Sequence, residues 1–163
     1  MTNLPVGPTA CLILIGNEVL SGRTQDANLQ YLGTRLTELG VRMAEARVIP
    51  DIEAVIIDTL NESRAKFDYV FTTGGIGPTH DDITSACVAK AFGVALERNN
   101  EARALLCRNY TSETELTEAR LKMTEIPVGA TLVENPVSHA PGYQIGNVFV
   151  FAGIPRIMQA MFE

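Results

Sequence analysis

Three short apolar segments, each followed by a stretch with helical periodicity, constrain the fold of this chain more than any other feature. Residues 10–16 (ACLILIG), 41–49 (VRMAEARVI) and 69–73 (YVFTT) have the length and composition of strands in a buried sheet. Alternation of strand and helix within the first 93 residues predicts an α/β fold. Its sheet should be parallel, with helices on both faces and right-handed crossovers.

The predicted helices are bounded by residues that favour helix ends. Leucines at helical spacing in residues 29–39 precede Gly40, which is predicted to end the first helix. Asp51 is predicted to cap a second helix over residues 52–66. The helix after the third strand is predicted to end before Gly93.

The second half of the chain is predicted to be less regular, with short elements separated by turn residues. The predicted elements are helices over residues 101–110, over residues 113–123 and from residue 156 onward, a strand over residues 130–134, and a hairpin over residues 143–151 that turns at Gly146-Asn147.

Length and charge fit one globular domain spanning residues 1–163. The sequence has 13 basic and 19 acidic residues, and a formal net charge of −6 without blocks of like charge. This argues against a nucleic-acid partner, since such proteins usually carry a basic patch. Because the chain stops at Glu163 inside an unfinished helix, we expect this domain to be truncated at its C-terminal end.

Nothing in the sequence indicates a membrane or secretory role. The longest clean apolar run, Ala10–Ile15, is far too short to span a bilayer. The first ten residues lack the basic and apolar regions of a signal peptide. Cys11, Cys87 and Cys107 are widely spaced and odd in number, which favours reduced thiols in a cytoplasmic protein.

The segment VFTTGGIGPTHDDIT, residues 70–84, places three glycines where the third strand ends and the next helix begins. Ligands of open parallel sheets bind beyond the carboxyl ends of the strands. Glycines there let the backbone approach a ligand and aim N–H groups at an anion, which the helix dipole also attracts. The spacing is neither a Walker loop nor a dinucleotide fingerprint. A tight turn that needs glycine is the simpler alternative, and we favour a phosphate site.

Asp81 and Asp82 follow these glycines and would repel a phosphate in the same loop. A divalent cation that bridges carboxylate and phosphate removes this conflict. Alternatively, the acids face a ligand hydroxyl or activate water. N-capping of the following helix explains one aspartate but not both. We therefore expect at least one of them to have a chemical role.

Acidic residues also follow the other two strands and should reach the same edge of the sheet. Glu18 and Asp26 follow the first strand, and Asp51 follows the second. Each has a simpler explanation, because Asp26 and Asp51 can cap helices and Glu18 can be solvated. Together with the aspartate pair they predict an acidic rim suited to a divalent metal or to acid–base chemistry. Loops 135–143 (NPVSHAPGY) and 151–155 (FAGIP) add small and polar residues.

The chain resembles the MoaB/Mog molybdopterin-binding family, and more closely its CinA-type branch. The segments that carry the resemblance are IGNEVLSGRTQDAN, VIPD, TTGGIGPTHDDIT, NPVSHAPGY and AGIPRIMQAMFE. The resemblance implies a three-layer α/β/α sandwich with a mostly parallel central sheet. In Mog-type proteins the glycine loop lies at the pterin-phosphate site, and two acids are associated with adenylyl transfer. By motif, Asp51 and Asp82 stand at those positions.

The resemblance leaves three functions open. CinA-like proteins look like metal-dependent pyrophosphatases for ADP-ribose or a related nucleotide, and we favour such an enzyme, with Mg²⁺, Mn²⁺ or Co²⁺ as cofactor. The alternatives are a molybdenum cofactor biosynthesis protein that binds or adenylylates molybdopterin, and a non-catalytic module that binds nucleotide or pterin. The expected partners are a small-molecule nucleotide or pterin phosphate and further copies of the chain in a dimer or trimer, without nucleic acid or membrane.

Candidate residues fall into three roles. The candidate catalytic residues are Asp51, Asp82 and Asp81. Asn17 replaces the acid or threonine usual in the family, so the candidate metal ligands are Asp82, Glu18 and Asp26. The candidate phosphate- and ligand-binding residues are Thr73, Gly74, Gly75, Gly77, Pro78, Thr79, Ser21, Gly22, Asn28, Asn135, Ser138, Pro141, Gly142, Gly153 and Pro155.

Overall fold

A six-stranded sheet forms the centre of the protein in the computed structural model, which describes residues 7–163. The strands are β1 (Thr9–Ile15), β2 (Arg42–Ile49), β3 (Tyr69–Thr73), β4 (Leu96–Arg98), β5 (Glu125–Pro127), β6 (Thr131–Val133), β7 (Gly142–Ile145) and β8 (Val148–Phe151). The central sheet has the order β2-β1-β3-β8-β7-β6, while β4 and β5 form a separate antiparallel pair. Neighbouring strands from β2 to β8 are parallel, and β7 and β6 continue the sheet in antiparallel fashion.

Helices pack on both faces of this sheet. They are α1 (Asn17–Leu20), α2 (Asn28–Glu38), α3 (Glu53–Lys66), α4 (Thr84–Phe92), α5 (Asn100–Leu106), α6 (Glu118–Leu121) and α7 (Pro155–Phe162). Buried residues of α2 and α7 share one apolar core with the sheet, and those of α3, α4 and α5 share the other. The three-layer α/β/α sandwich with a mostly parallel sheet is therefore confirmed. No helix in residues 7–163 has the length and apolar character needed to cross a bilayer.

Strand β1 shows why both faces must be covered. Leu12 and Leu14 lie in the core beneath α2 and α7, whereas Cys11, Ile13 and Ile15 lie in the core beneath α3 and α4. All five are buried, because successive side chains of a strand point to opposite faces. The continuous apolar run thus reflects the position of β1 as an inner strand of the sheet that is buried on both faces.

The structure differs from the sequence-based prediction mainly between residues 107 and 124. The helix predicted over 113–123 is wrong, because only the short α6 and two 3-10 turns occur there. Thr111 donates its backbone N–H and its hydroxyl to Glu115, and Ser112 and Thr117 cap the turns that follow. Such side-chain hydrogen bonds compete with a regular helix. The helix predicted over residues 101–110 ends earlier, as α5 at Leu106. The predicted hairpin over 143–151 is confirmed.

Two features of the first half were also missed or misassigned. The segment directly after β1, where no helix was predicted, contains α1. Asp51 does not cap α3, whose N-cap is Ile52 without a side-chain hydrogen bond. Instead, the Asp51 carboxylate accepts a hydrogen bond from the backbone N–H of Asn17, so it joins the end of β2 to the start of α1.

Gly74 joins the ends of three parallel strands. It follows β3 directly, its N–H donates to the carbonyl oxygen of Phe151 at the end of β8, and its φ angle is 100°. A Cβ atom at this position would lie 2.2 Å from the carbonyl oxygen of Ile15 at the end of β1. No side chain fits in this space, so the junction requires glycine.

We expect Gly74→Ala to lower the free energy of unfolding by about 2 kcal/mol or more, because the new methyl group meets backbone rather than a flexible side chain. Gly33→Ala is the matched control, since Gly33 lies inside α2 with open space around its Cβ position. That change should raise the free energy of unfolding by about 0.5–1 kcal/mol. Urea denaturation of both variants measures the two effects. A Gly74→Ala protein as stable as the wild type would contradict the close packing at the junction.

Candidate functional site

A cleft of about 600 Å³ lies beyond the carboxyl ends of β3 and β8. Its walls come from the glycine loop at residues 74–78, the loop at 135–141, the start of α7 at 152–157 and the segment between residues 106 and 123. This volume suits a small-molecule ligand, and the position is the one at which open parallel sheets bind ligands. Of the candidate residues named from the sequence, the cleft is lined by Glu18, Gly74, Gly75, Gly77, Pro78, Asp82, Asn135, Ser138, Pro141, Gly153 and Pro155.

The glycine loop presents free backbone donors in the cleft. Within residues 7–163, no protein group accepts a hydrogen bond from the N–H groups of Gly75, Ile76 or Gly77. Gly75 has a φ angle of 77°, and a Cβ there would lie 2.0 Å from the hydroxyl oxygen of Thr84. Three consecutive N–H groups without a protein partner form a concave donor surface suited to an anion.

Asp82 lies beside these donors and holds the loop in shape. Its Oδ2 accepts hydrogen bonds from the backbone N–H of Thr79 at 2.9 Å and from the Thr79 hydroxyl at 2.7 Å. No protein group in the described part of the chain donates to its Oδ1. The helix-capping alternative is wrong for Asp82, because the N-cap of α4 is Ile83. On the outer side, the Lys122 ammonium donates to the carbonyl oxygen of Asp82 at 2.6 Å and to that of Thr79.

Asp51 does not line the cleft, but it shares an acidic environment with residues that do. Burial raises the pKa of Asp51, against the hydrogen bond that it accepts from Asn17, and the negative charges of Glu18, Asp82 and Asp81 raise it further. A carboxyl group with a raised pKa beside a cleft is a candidate for proton transfer. Of the predicted acidic rim, Glu18, Asp81 and Asp82 thus act on Asp51 electrostatically, and Asp26 does not.

The metal ligands predicted from the sequence are only partly gathered. In residues 7–163, no three histidine, cysteine, aspartate or glutamate side chains converge to hold a metal ion. Glu18 and Asp82 line the cleft, whereas both oxygens of Asp26 accept N–H groups at the start of α2. Asp26 therefore caps that helix, which was its simpler explanation. Asp81 is 81% exposed, and His80 lies beside it.

Carboxylate donors that stop short of a cage still fit Mg²⁺, which commonly takes one or two carboxylates and completes its shell with water and substrate phosphate. Glu18 and the free Oδ1 of Asp82 would hold such an ion. No lysine or arginine lines the cleft among the described residues. A polyphosphate would therefore meet two carboxylates without a basic side chain. A bridging cation would remove the resulting repulsion.

A smaller cavity of about 50 Å³ adjoins the cleft and contains further candidates. Thr73 and Asn28 line it together with Asp26, Glu18 and Gly153. The buried Asn28 side chain donates to the carbonyl oxygen of Gly153 and so ties the start of α2 to the start of α7. These residues support one wall of the cleft from behind.

Asn135 shapes the loop that lines the cleft, and Ser21, Gly22 and Gly142 lie elsewhere in the fold. Asn135 is buried and organises its loop, because its side chain bonds Ser138, Val137 and Ala140. Ser21 and Gly22 are exposed and line neither cavity. Gly142 is buried inside β7, where a Cβ would lie 2.5 Å from the carbonyl oxygen of Val150, so sheet packing explains this glycine.

Sequence reasoning missed the wall formed between residues 106 and 123. Leu106, Asn109, Tyr110 and Met123 line the cleft there. No sequence signal pointed to them, because this stretch was predicted as two regular helices. Ile76 was also missed, although it lies inside the glycine loop.

Comparisons with known proteins agree with this fold and site. A family model described as "Probable molybdopterin binding domain" matches residues 11–163. Proteins of Pyrobaculum calidifontis and Aeropyrum pernix are 42% and 40% identical over 161 residues, which is 96% of this chain and 62% and 60% of those proteins. The chain thus spans about three fifths of the length of these curated relatives.

Solved structures give the same result. The crystal structure of the protein CinA with unknown function from Thermoplasma acidophilum superposes with a TM-score of 0.88 at 34% identity, covering 96% of this chain and 94% of that one. The tungsten cofactor synthesizing protein MoaB from Pyrococcus furiosus shares the fold, with a TM-score of 0.60 at 19% identity over 97% of this chain and 89% of its own. This chain therefore belongs to the molybdopterin-binding domain family of the MoaB and Mog proteins, as a member of the CinA-like branch.

Proposed function

We propose that this domain is a divalent-metal-dependent pyrophosphatase that acts on ADP-ribose or a related nucleotide. In the reaction, water adds to one phosphorus of the pyrophosphate and the bridging P–O bond breaks. ADP-ribose and water thus give AMP and ribose 5-phosphate. The observation that carries the proposal is the combination, in one cleft, of three free N–H groups with two carboxylates and no basic side chain.

Each part of the cleft would have a defined task. The N–H groups of Gly75, Ile76 and Gly77 would bind phosphate oxygens, as backbone donors do in other anion sites. Glu18 and Asp82 would hold a divalent ion, which supplies charge neutralisation of the phosphates and a more acidic bound water. Thr79 would keep Asp82 oriented through the two hydrogen bonds described above.

Asp51 would act on protons without entering the cleft. Its raised pKa means that it holds a proton at a higher pH than an ordinary aspartate does. A nearby positive charge would release that proton by favouring the charged form. Metal binding at the acidic rim would therefore lower the pKa of Asp51 again.

Binding of molybdopterin, with or without adenylyl transfer, is the second candidate function. The family model that matches nearly the whole chain supports it, since its description names molybdopterin. The glycine loop suits the phosphate of a pterin as well as that of a nucleotide. A module that binds either ligand without turnover is the remaining alternative.

An assay with separated products tests the proposal. The protein is incubated with ADP-ribose, FAD, NAD or ATP in the presence of Mg²⁺, Mn²⁺ or Co²⁺, with EDTA as the control, and products are resolved by chromatography. We expect AMP from ADP-ribose only when a metal is present. Failure to hydrolyse any of these compounds would refute the pyrophosphatase and favour binding of molybdopterin.

Asp82→Asn should reduce turnover of ADP-ribose at least a hundredfold while the protein stays folded. The amide oxygen of asparagine can still accept both hydrogen bonds from Thr79, but the variant loses the negative charge that would hold the metal. Asp58→Asn is the matched control, because Asp58 is an exposed residue of α3 outside the cleft. Activity and circular dichroism are measured on both variants. Full activity of Asp82→Asn would show that this carboxylate is not catalytic.

Asp51→Asn should make the protein more stable at pH 7 in EDTA. In the folded state the pKa of Asp51 is raised above its ordinary value of 3.8. The protonated Asp51 carboxyl therefore stabilises the folded state fully below pH 3.8. The contribution is lost as pH rises through the raised pKa. The advantage of the variant should therefore grow from pH 4 to pH 7, which thermal unfolding at several pH values measures. A variant less stable than the wild type at pH 7 would contradict the repulsion among these acids.

A further inference from the structure

We propose that Tyr110 is the platform on which the planar heterocycle of the ligand stacks, so that the cleft selects phosphate esters with an aromatic ring system. The inference rests on the proposed function, because it assumes that a phosphorylated ligand occupies the glycine loop. It assigns a separate part of the cleft to the ring and names the residue that recognises it.

Tyr110 is the aromatic residue of the cleft. Among the described residues that line it, no other is phenylalanine, tyrosine or tryptophan. The ring is partly buried, and the Arg120 guanidinium carbon lies 4.7 Å from its centroid. One face of the ring is therefore covered by a cation, which stabilises the aromatic side chain in place.

Arg120 is itself held in position. Its Nη1 donates to the carbonyl oxygen of Glu115 at 2.6 Å, and its backbone N–H donates to the hydroxyl of Thr117. The backbone N–H of Tyr110 donates to the carbonyl oxygen of Cys107 at 3.1 Å. The ring and the cation behind it are thus ordered by the irregular turns of this segment before a ligand arrives, which lowers the entropic cost of stacking.

The surroundings of Tyr110 suit a flat apolar ring rather than a sugar or a phosphate. The partly exposed Met123 and Ile157 line the same cleft and provide apolar contact surface, with the buried Leu106 and Met161 behind them. The free N–H groups and the carboxylates belong to the glycine loop and its neighbours. The cleft thus offers backbone donors and carboxylates for a phosphate, and one aromatic side chain with apolar neighbours for a ring. Adenine, flavin and pterin all have the required planar π-face.

A tryptophan reporter tests this assignment directly, because the chain contains no tryptophan. Tyr110→Trp keeps an aromatic platform, and its fluorescence should be quenched when a ring stacks on it. Tyr69→Trp is the matched control, since Tyr69 begins β3 at the opposite end of the sheet and is 38% exposed. We expect AMP to quench Tyr110→Trp in a saturable way. Ribose 5-phosphate, the other half of ADP-ribose, should not quench it, and neither compound should quench Tyr69→Trp.

The kinetic arm uses Tyr110→Ala and Tyr110→Phe with ADP-ribose. Loss of the ring should raise KM about tenfold, as expected for one base–aromatic stack. Phenylalanine should restore a KM close to that of the wild type, which a merely structural hydroxyl would not allow. Hydrolysis of ADP-ribose with an unchanged KM in Tyr110→Ala, or equal quenching by ribose 5-phosphate, would overturn the stacking assignment and leave the pyrophosphatase intact. A wild-type protein that neither hydrolyses nor binds any nucleotide would overturn both.

Discussion

The contact between the backbone of Gly74 and the carbonyl oxygen of Ile15 sets the geometry on which the site depends. It allows the chain leaving β3 to pass directly over the end of β1 while the Gly74 N–H bonds the end of β8. The next three residues consequently emerge from the sheet with their N–H groups free of protein acceptors. The anion site that we propose thus follows from how closely three parallel strands end together. It does not depend on a long or charged side chain.

Among its described lining residues the cleft has two carboxylates and no lysine or arginine, which is unusual for the phosphate site that we propose. The described basic side chains lie elsewhere, and the cation closest to the loop, Lys122, is already occupied by backbone carbonyl oxygens on the outer side. Glu18 and Asp82 line the cleft, and burial, together with the negative charges of Glu18, Asp82 and Asp81, raises the pKa of Asp51 beside it. Holding these acids close together is expected to lower the free energy of unfolding, as is common at functional sites. A bound cation would relieve the repulsion and complete the complement to a pyrophosphate.

Sequence alone was sufficient for those features that depend on local pattern. The burial of β1 on both faces follows from its continuous apolar run, and the tight glycine turn after β3 follows from backbone sterics; both were predicted correctly. Tertiary contacts decided the rest. Asp51 was predicted to cap a helix, but its partner is Asn17, which is 34 residues away in the sequence. Gly142 was predicted to bind ligand, but it is glycine because β7 and β8 pack closely there. The wall around Tyr110 was missed because Thr111 and Glu115 form side-chain hydrogen bonds that replace a helix.

The segment from residue 107 to residue 124 is built from short turns that hydrogen-bond mainly to themselves, and none of its residues belongs to the central sheet. Its hydrogen bonds to the glycine loop, among the described residues, come from Lys122, which bonds backbone carbonyl oxygens and not side chains of that loop. Substitutions in this segment can therefore change the shape of the apolar wall while the strand junction stays unchanged. A scaffold of this kind can change its ligand preference by altering fewer than twenty contiguous residues, because the glycine loop and the wall that faces it are encoded in separate stretches of the chain.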